Sequence, residues 1–323
     1  MSGSTRILQA QPMMAMMEDD LARSYSVVPF SPADEPSTLA ERGRGIEIAV
    51  TTGEAGLSAD QLRALPDLRA IVNFGAGYDS SDIATARAQG ILVSNTPDVL
   101  TDCVADLAIG LLIDTLRRVS SADRFLRAGR WADGAFPLAA RVTGKRVGIL
   151  GLGRIGRAIA RRLEGFSVSI AYHNRRRAAD APYAYLDSAE ELAAWCDVLI
   201  VAAPGGPESR GMVSGAVLRA LGPAGYLVNV ARGSVVDEDA LVQALTSGQI
   251  AGAGLDVFVD EPRVPAELRA LETVVLTPHI GSGTVETRRA MADLVLANIE
   301  RYLADGTLVT PIPEAVPRYS PSS

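Results

Sequence analysis

Val147-Gly148-Ile149-Leu150-Gly151-Leu152-Gly153-Arg154-Ile155-Gly156 is the stretch on which the reading of the fold turns. An apolar run ends in glycines spaced G-x-G-x-x-G at Gly151, Gly153 and Gly156, and a helical pattern follows over 157–163. In such a strand–turn–helix unit the first glycine permits a tight turn and the second lets backbone approach a pyrophosphate. The third lets the helix sit close to the strand. The helix N-terminus then presents amide N–H groups to the negative charge. Glycine-rich turns are common, so the spacing alone is weak; the strand before it and the helix after it make a dinucleotide site specific.

Working outward, strands are expected at 146–150, 168–172, 198–202, 226–230, 252–257 and 274–276, separated by helical stretches. Six strands in that rhythm match a doubly wound dinucleotide fold. Ahead of them, strands at 6–9, 47–51, 70–73 and 91–94 alternate with helices at 58–64 and 80–89, so a second parallel α/β layer is expected. A helical pattern over 101–129, preceded by Pro97-Asp98 and closed by Gly129, carries the chain from one domain to the other. A last helix over 285–303, ending at Gly306, would return it, and a Pro-rich tail is read as loosely ordered.

The chain has 323 residues, comfortable for two domains, and its 48% apolar and 21% charged content supports sizeable cores and no disorder. The formal charge is −7 with signs interspersed, and the basic residues cluster only at 175–177, so nothing points to a nucleic-acid surface. Two cysteines, Cys103 and Cys196, make neither a metal cluster nor a disulfide framework, which fits a reducing compartment. Met13 to Met17 runs into Glu18, Asp19 and Asp20, so no signal core is expected, and no apolar run reaches membrane-spanning length. A cytoplasmic protein with a small-molecule partner, no metal, no nucleic acid and no membrane is expected.

The strand after the glycine turn ends Tyr172-His173-Asn174-Arg175-Arg176-Arg177, with no acid before Asp180. An NAD site usually has Asp or Glu here, accepting from the ribose 2′-hydroxyl. A carboxylate would repel a 2′-phosphate, whereas arginine pairs with it bidentately. A solvated basic turn is the plainer alternative. The missing acid and the arginines together favour NADPH, with NADH possible, and make Arg175 the first candidate ligand and Arg176 the second.

Three further segments leave strands at their C-terminal ends, where ligands bind in open α/β sheets. One runs into Ala231-Arg232-Gly233, one through Asp256 into Asp260-Glu261-Pro262, and one into Pro278-His279-Ile280-Gly281. Taken singly, a histidine after a strand reads as a hydrogen-bonded structural residue, and an Arg-Gly or Glu-Pro turn as plain surface. Together they bring an arginine, a carboxylate and an imidazole to one edge, a set suited to reducing a keto acid. Arginine holds a carboxylate or polarises a carbonyl, and imidazole gives a proton to the oxygen as a hydride reaches carbon. A neighbouring carboxylate favours the protonated ring and fixes its orientation. Of the two histidines, His173 sits at the cofactor turn, leaving acid–base work to His279.

The ordered set Gly151-Leu152-Gly153-Arg154-Ile155-Gly156, Asn229 to Glu238, Gly254-Leu255-Asp256-Val257-Phe258 with Asp260-Glu261-Pro262, and Pro278-His279-Ile280-Gly281-Ser282 resembles the D-isomer-specific 2-hydroxyacid dehydrogenase family. The resemblance spans nearly the whole chain and is weakest over about the first 65 residues and the tail. It implies an α/β protein of two domains: a discontinuous flavodoxin-like substrate domain, 1–101 with 286–323, and a Rossmann dinucleotide domain, 102–285, with a cleft that closes on substrate. It implies Arg232, Glu261 and His279 as catalytic residues. Asp256 would meet the nicotinamide carboxamide, Arg154 and Ile155 the pyrophosphate, and Thr101 the nicotinamide. Asn174, Pro204, Ala231, His279 and Gly281 complete the expected cofactor contacts. Val72-Asn73-Phe74-Gly75-Ala76-Gly77-Tyr78-Asp79 is similar to the family's substrate loop, in which amides around Gly75, Ala76 and Gly77 take the substrate carboxylate. Small residues there expose N–H groups to an anion.

Within the family, the loop lacks the basic residues of phosphoglycerate dehydrogenases, has Phe74 where phosphite dehydrogenases use lysine, and keeps Glu261 where formate dehydrogenases carry an amide. The arginine turn is most like that of NADPH-preferring glyoxylate, hydroxypyruvate and hydroxyphenylpyruvate reductases; 2-ketogluconate reduction is an alternative. Some members bring an aromatic from a partner subunit into the site, and Trp131 and Phe136 lie in that segment, which leaves substrate size open. A homodimer is usual. The competing class is a dinucleotide-sensing corepressor on the same fold.

Overall fold

The structure, a computed structural model, describes residues 5–31 and 33–315. The end of the Pro-rich tail, 316–323, and residues 1–4 lie outside them. The chain divides into two compact units, residues 1–100 with 284–323, and Thr101–Gly283.

The first unit carries five parallel strands, β1 (Arg6–Ala10), β2 (Ser26–Phe30), β3 (Ile48–Thr52), β4 (Ala70–Phe74) and β5 (Leu92–Ser94). Their order, β2-β1-β3-β4-β5, is the 2-1-3-4-5 order of flavodoxin-like sheets. β4 is buried at every position, as a strand covered on both faces must be. Each fully buried Ile or Val there contributes about 1.5–3 kcal/mol. β2 is absent from the sequence reading, because Pro29 breaks its pattern. A proline gives no ladder hydrogen bond, and β2 tolerates it by lying at the sheet edge. The helix Ala15–Ser24 was likewise not anticipated. The helix Val285–Asp305, capped by the Thr284 hydroxyl and ended by Gly306 at φ +75°, completes this unit.

The second unit carries seven parallel strands: β6 (Arg146–Leu150), β7 (Ser169–His173), β8 (Ala184–Tyr185), β9 (Val198–Val201), β10 (Tyr226–Asn229), β11 (Gly252–Leu255) and β12 (Val274–Leu276). The order β12-β11-β10-β9-β6-β7-β8 is the doubly wound order 3-2-1-4-5-6 with one strand added beyond it. Six strands were expected. The discrepancy is β8, whose two residues are too few to carry a periodicity. The helical pattern over 101–129 also resolves into two helices, Thr101–Arg117 and Val119–Arg127. The break falls at Arg118, in left-handed conformation at φ +56°, where the Asp114 carboxylate accepts the Ser120 N–H at 2.8 Å. A side chain that captures a backbone donor offers the chain an alternative to the helix. No helix among the described residues is long and apolar enough to cross a membrane.

Candidate active site

Because all strands of the second unit are parallel, their C-terminal ends share one edge, and the segments singled out in the sequence leave from it. At the end of β6, Gly151 stands at φ +100°, and a Cβ there would lie 2.5 Å from the Ala203 nitrogen. A Cβ on Gly156 would lie 2.1 Å from the Gly151 oxygen, so neither position takes a side chain. Gly153 differs: nothing lies within 4 Å of where its Cβ would stand, and it caps the helix Arg154–Leu163. Gly153 and Arg154 are exposed and Ile155 half-buried. A tight turn with open space over a helix N-terminus fits a dinucleotide pyrophosphate.

After β7, Asn174 accepts the Leu152 N–H on Oδ1 at 2.6 Å, tying the next loop to the glycine turn. Arg175, Arg176 and Arg177 are exposed, and Arg175 pairs with Glu208. Pro204, after β9, is exposed and accepts the Ser209 hydroxyl on its carbonyl at 2.6 Å. Thr101, half-buried, begins its helix.

A histidine and a glutamate meet on the same edge. His279 Nδ1 lies 2.7 Å from Glu261 Oε2, and the other Glu261 oxygen accepts the Phe258 N–H at 2.9 Å. With a carboxylate as acceptor, Nδ1 carries the proton, and Nε2 is the ring atom placed to exchange one. Burial pushes the Glu261 carboxyl up. The hydrogen bonds from His279 and Phe258, with the His279 and Arg232 charges, outweigh it and hold the group below its ordinary value. Arg232 is half-buried and donates to the Ala231 carbonyl at 2.8 Å. Its turn is braced by buried Asn229, which donates to the Arg232 carbonyl and accepts the Ala231 N–H, each at 3.0 Å.

Asp256 is buried, and its carboxylate accepts from the Thr277 hydroxyl at 2.7 Å and from the Ile280 and Gly281 N–H groups at 2.8 Å. Burial raises its carboxyl pKa in spite of those donors. Its backbone carbonyl accepts the His279 N–H at 2.9 Å, and His279 is left-handed at φ +51°. Asp256 therefore shapes the turn that presents the imidazole.

In the first unit, Gly75, Ala76 and Gly77 follow β4. Asn73 donates to the Gly75 carbonyl at 3.1 Å and to the Gly77 carbonyl at 2.7 Å; Asn95 donates to the Ala76 carbonyl at 2.7 Å. The Thr96 N–H also reaches the Gly75 carbonyl, at 2.9 Å. The Gly75, Ala76 and Gly77 carbonyls are thus each held by an asparagine amide, and small residues in such a turn can expose N–H groups to an anion. Asn73, Asn95 and Asn229 escaped the sequence reading. A strand-end Asn beside a small-residue turn is the signal that finds Asn73 and Asn229, since its amide can bond nearby backbone; Asn95, bonded to Ala76 across 19 residues, carries no such local signal.

Residues 109–281 match the family described as D-isomer specific 2-hydroxyacid dehydrogenase, NAD binding domain. The chain is 46% identical to glyoxylate/hydroxypyruvate reductase A of Arabidopsis thaliana, over 96% of this chain and 99% of that one. It is 45% identical to hydroxyphenylpyruvate reductase of Plectranthus scutellarioides, over 95% and 98%. Its structure is similar to that of an NADPH-dependent glyoxylate/hydroxypyruvate reductase from Sinorhizobium meliloti in complex with NADP and malonate. That match has a TM-score of 0.92 at 44% identity, over 97% of this chain and 98% of that one.

Proposed function

The chain belongs to the D-isomer specific 2-hydroxyacid dehydrogenase family, and from that premise we propose that it is an NADPH-preferring reductase of small 2-keto acids, of glyoxylate or hydroxypyruvate size, giving D-2-hydroxy acids. The observation that carries this is the His279–Glu261 pair on the strand edge that also bears Arg232. When bound, the reduced nicotinamide supplies a hydride to the carbonyl carbon. The Ala76 and Gly77 N–H groups hold the substrate carboxylate, and Arg232 engages the carboxylate and polarises the carbonyl. His279 gives the Nε2 proton to the carbonyl oxygen, while Glu261, kept ionised, holds Nδ1–H and orients the ring. Such a positioned acid is worth typically 10²–10⁴-fold.

Gly151, Gly153, Arg154, Ile155 and Gly156 are assigned to the pyrophosphate, and Asn174, Arg175 and Arg176 to the 2′-phosphate side. Thr101, Pro204, Ala231, Asp256 and Gly281 are assigned to the nicotinamide half. Asp256 serves first as the brace of His279. The unit of Thr101–Gly283 is read as the dinucleotide domain and the other as the substrate domain.

We place the enzyme in the cytosol as a homodimer. Val119, Leu126, Trp131 and Leu138 are exposed apolar side chains within one segment, which favours a second copy there. Phe136, by contrast, packs against Phe125 with ring centroids 5.3 Å apart and beneath Arg118. A hydroxyphenylpyruvate substrate is the second reading, favoured by the Plectranthus relative at nearly the same identity.

The test is NADPH and NADH oxidation at neutral pH against glyoxylate, hydroxypyruvate, phenylpyruvate, hydroxyphenylpyruvate and 2-ketogluconate, with chiral chromatography of the product. Fast NADPH oxidation yielding a D-2-hydroxy acid is expected. Tight dinucleotide binding with no oxidation of any of these would overturn the reading in favour of a dinucleotide sensor.

A further inference from the structure

Three exposed arginines in a row have many rotamers and a mobile backbone to lose, and ordering them weakens whatever they bind. The structure ties their loop at both ends. Tyr172, on β7, is fully buried, and its hydroxyl donates to the Ala178 carbonyl at 3.2 Å and accepts the Ala178 N–H at 3.1 Å. Tyr185, on β8, donates its hydroxyl to the Asn174 carbonyl at 3.1 Å. Residues 174 and 178 are thus each held by a tyrosine hydroxyl, with Arg175, Arg176 and Arg177 between them.

The two rings meet edge to face, with centroids 5.4 Å apart at 61°. The Tyr185 ring also stacks on His173 at 6.0 Å and lies beneath the Arg177 guanidinium at 5.8 Å. His173 Nδ1, 2.8 Å from the Leu186 carbonyl, fastens the chain just after β8 to the end of β7. Just beyond the arch, Asp180 pairs with Arg157 of the helix that follows the glycine turn, at 2.7 Å. The two-residue strand β8 has an evident use here: it brings the Tyr185 hydroxyl under the arch.

We propose that Tyr172 and Tyr185 are positioning residues for cofactor discrimination, whose hydroxyls pre-form the 174–178 arch that presents Arg175 and Arg176 to the 2′-phosphate. The proposal rests on the reading of those arginines as the phosphate ligands. Losing either hydroxyl loosens the arch while the rings keep their packing. The loss therefore falls on ligands that carry the 2′-phosphate, while the rest of the dinucleotide is held at the glycine turn.

The experiment is calorimetric titration of the wild type, Tyr172→Phe, Tyr185→Phe and Arg175→Ala with NADP⁺, NAD⁺ and adenosine 2′,5′-bisphosphate, a probe with the phosphate and no nicotinamide. Each Tyr→Phe variant is expected to bind NADP⁺ and the bisphosphate about five- to tenfold more weakly, the range of one lost hydrogen bond, with NAD⁺ affinity and Tm nearly unchanged. Equal weakening of NADP⁺ and NAD⁺, or unchanged NADP⁺ affinity, overturns the proposal. If Arg175→Ala is selective for NADP⁺ and the tyrosine variants are not, the proposal fails alone. If the wild type does not discriminate and Arg175→Ala changes nothing, the reading of the arginines fails and takes the proposal with it. Should Tyr172→Phe not fold, half-buried Tyr185 gives the same readout.

Discussion

The turn at 75–77 and the arch at 174–178 take up anions, in our reading, by opposite means. The first uses backbone N–H groups and carries no charge of its own. The second uses exposed guanidinium groups on a loop. What they share is a layer of support beneath. Asn73 and Asn95 hold the carbonyls of the first, and Tyr172 and Tyr185 hold the ends of the second. An uncharged cradle depends wholly on the direction of its N–H groups, so its supports should matter more. A charged cradle keeps part of its attraction when loosened, so its supports should matter less and its arginines more.

The sharpest way to break that comparison is Asn95→Asp. The amide that donates to the Ala76 carbonyl at 2.7 Å becomes a carboxylate that cannot donate and repels that oxygen. Losing such a bond and leaving the acceptor unpaired costs about 1–3 kcal/mol, with the repulsion added. Keto-acid kcat/KM is expected to fall about 100-fold or more, while the NADP⁺ Kd stays unchanged. Steady-state kinetics beside calorimetry checks this. Parallel losses of keto-acid use and dinucleotide binding would show that the asparagine supports the fold at large and not the turn.

Arg175→Ala tests the other side and is expected to act less strongly. The NADPH KM should rise about tenfold, the low end for one charge-assisted hydrogen bond because the guanidinium is exposed, with the NADH KM unchanged. Raising ionic strength should erode the wild-type preference for NADP⁺ over NAD⁺ in the same direction, since exposed charges are screened. In the structure Arg175 already pairs with Glu208, and both side chains are more than 70% exposed, at 71% and 74%, so that pair offers little resistance to a phosphate. An equal change in both KM values would leave the arginine run as a solvated turn.

The two supports also differ in how far the sequence discloses them. Strands β6 and β12 were legible to the residue, because a short apolar run bounded by Lys145 and Gly151, or by Thr273 and Thr277, has sharp ends. The strands expected at 226–230 and 252–257 end earlier, at Asn229 and Leu255, so that Asp256 lies beyond its strand and not inside it. The turns carrying Arg232, Asp256 and His279 were legible all the same, as segments that follow parallel strands. β2 was not, since Pro29 is acceptable only at a sheet edge, and edge position is a property of the assembled sheet. Arg118 was not, because the helical pattern runs unbroken through it and only the Asp114 carboxylate stops the helix. The Tyr185–Asn174 and Asn95–Ala76 bonds span 11 and 19 residues. No local pattern marks either partner, so such supports become visible only when the strands are side by side.

The smallest expected effect separates the uncharged anion site from the His279–Glu261 pair. The turn at 75–77 has no ionisable side chain. Glu261 does titrate, and its folded value lies below its ordinary 4.5. A carboxyl with a depressed folded pKa contributes stability that is fully present above the unfolded value and is lost as pH falls through the folded one. That contribution is therefore intact at neutral pH and should begin to fade below about pH 4.5. Melting curves of wild type and Glu261→Gln between pH 7 and pH 3.5 check this. The wild type is expected to lose more Tm on acidification than the variant, by a few degrees at most, as about 1 kcal/mol corresponds to roughly 2–4 °C in chains of 150–250 residues. Parallel curves would mean that the 2.7 Å contact between His279 and Glu261 serves orientation of the ring alone and adds nothing to the stability of its turn.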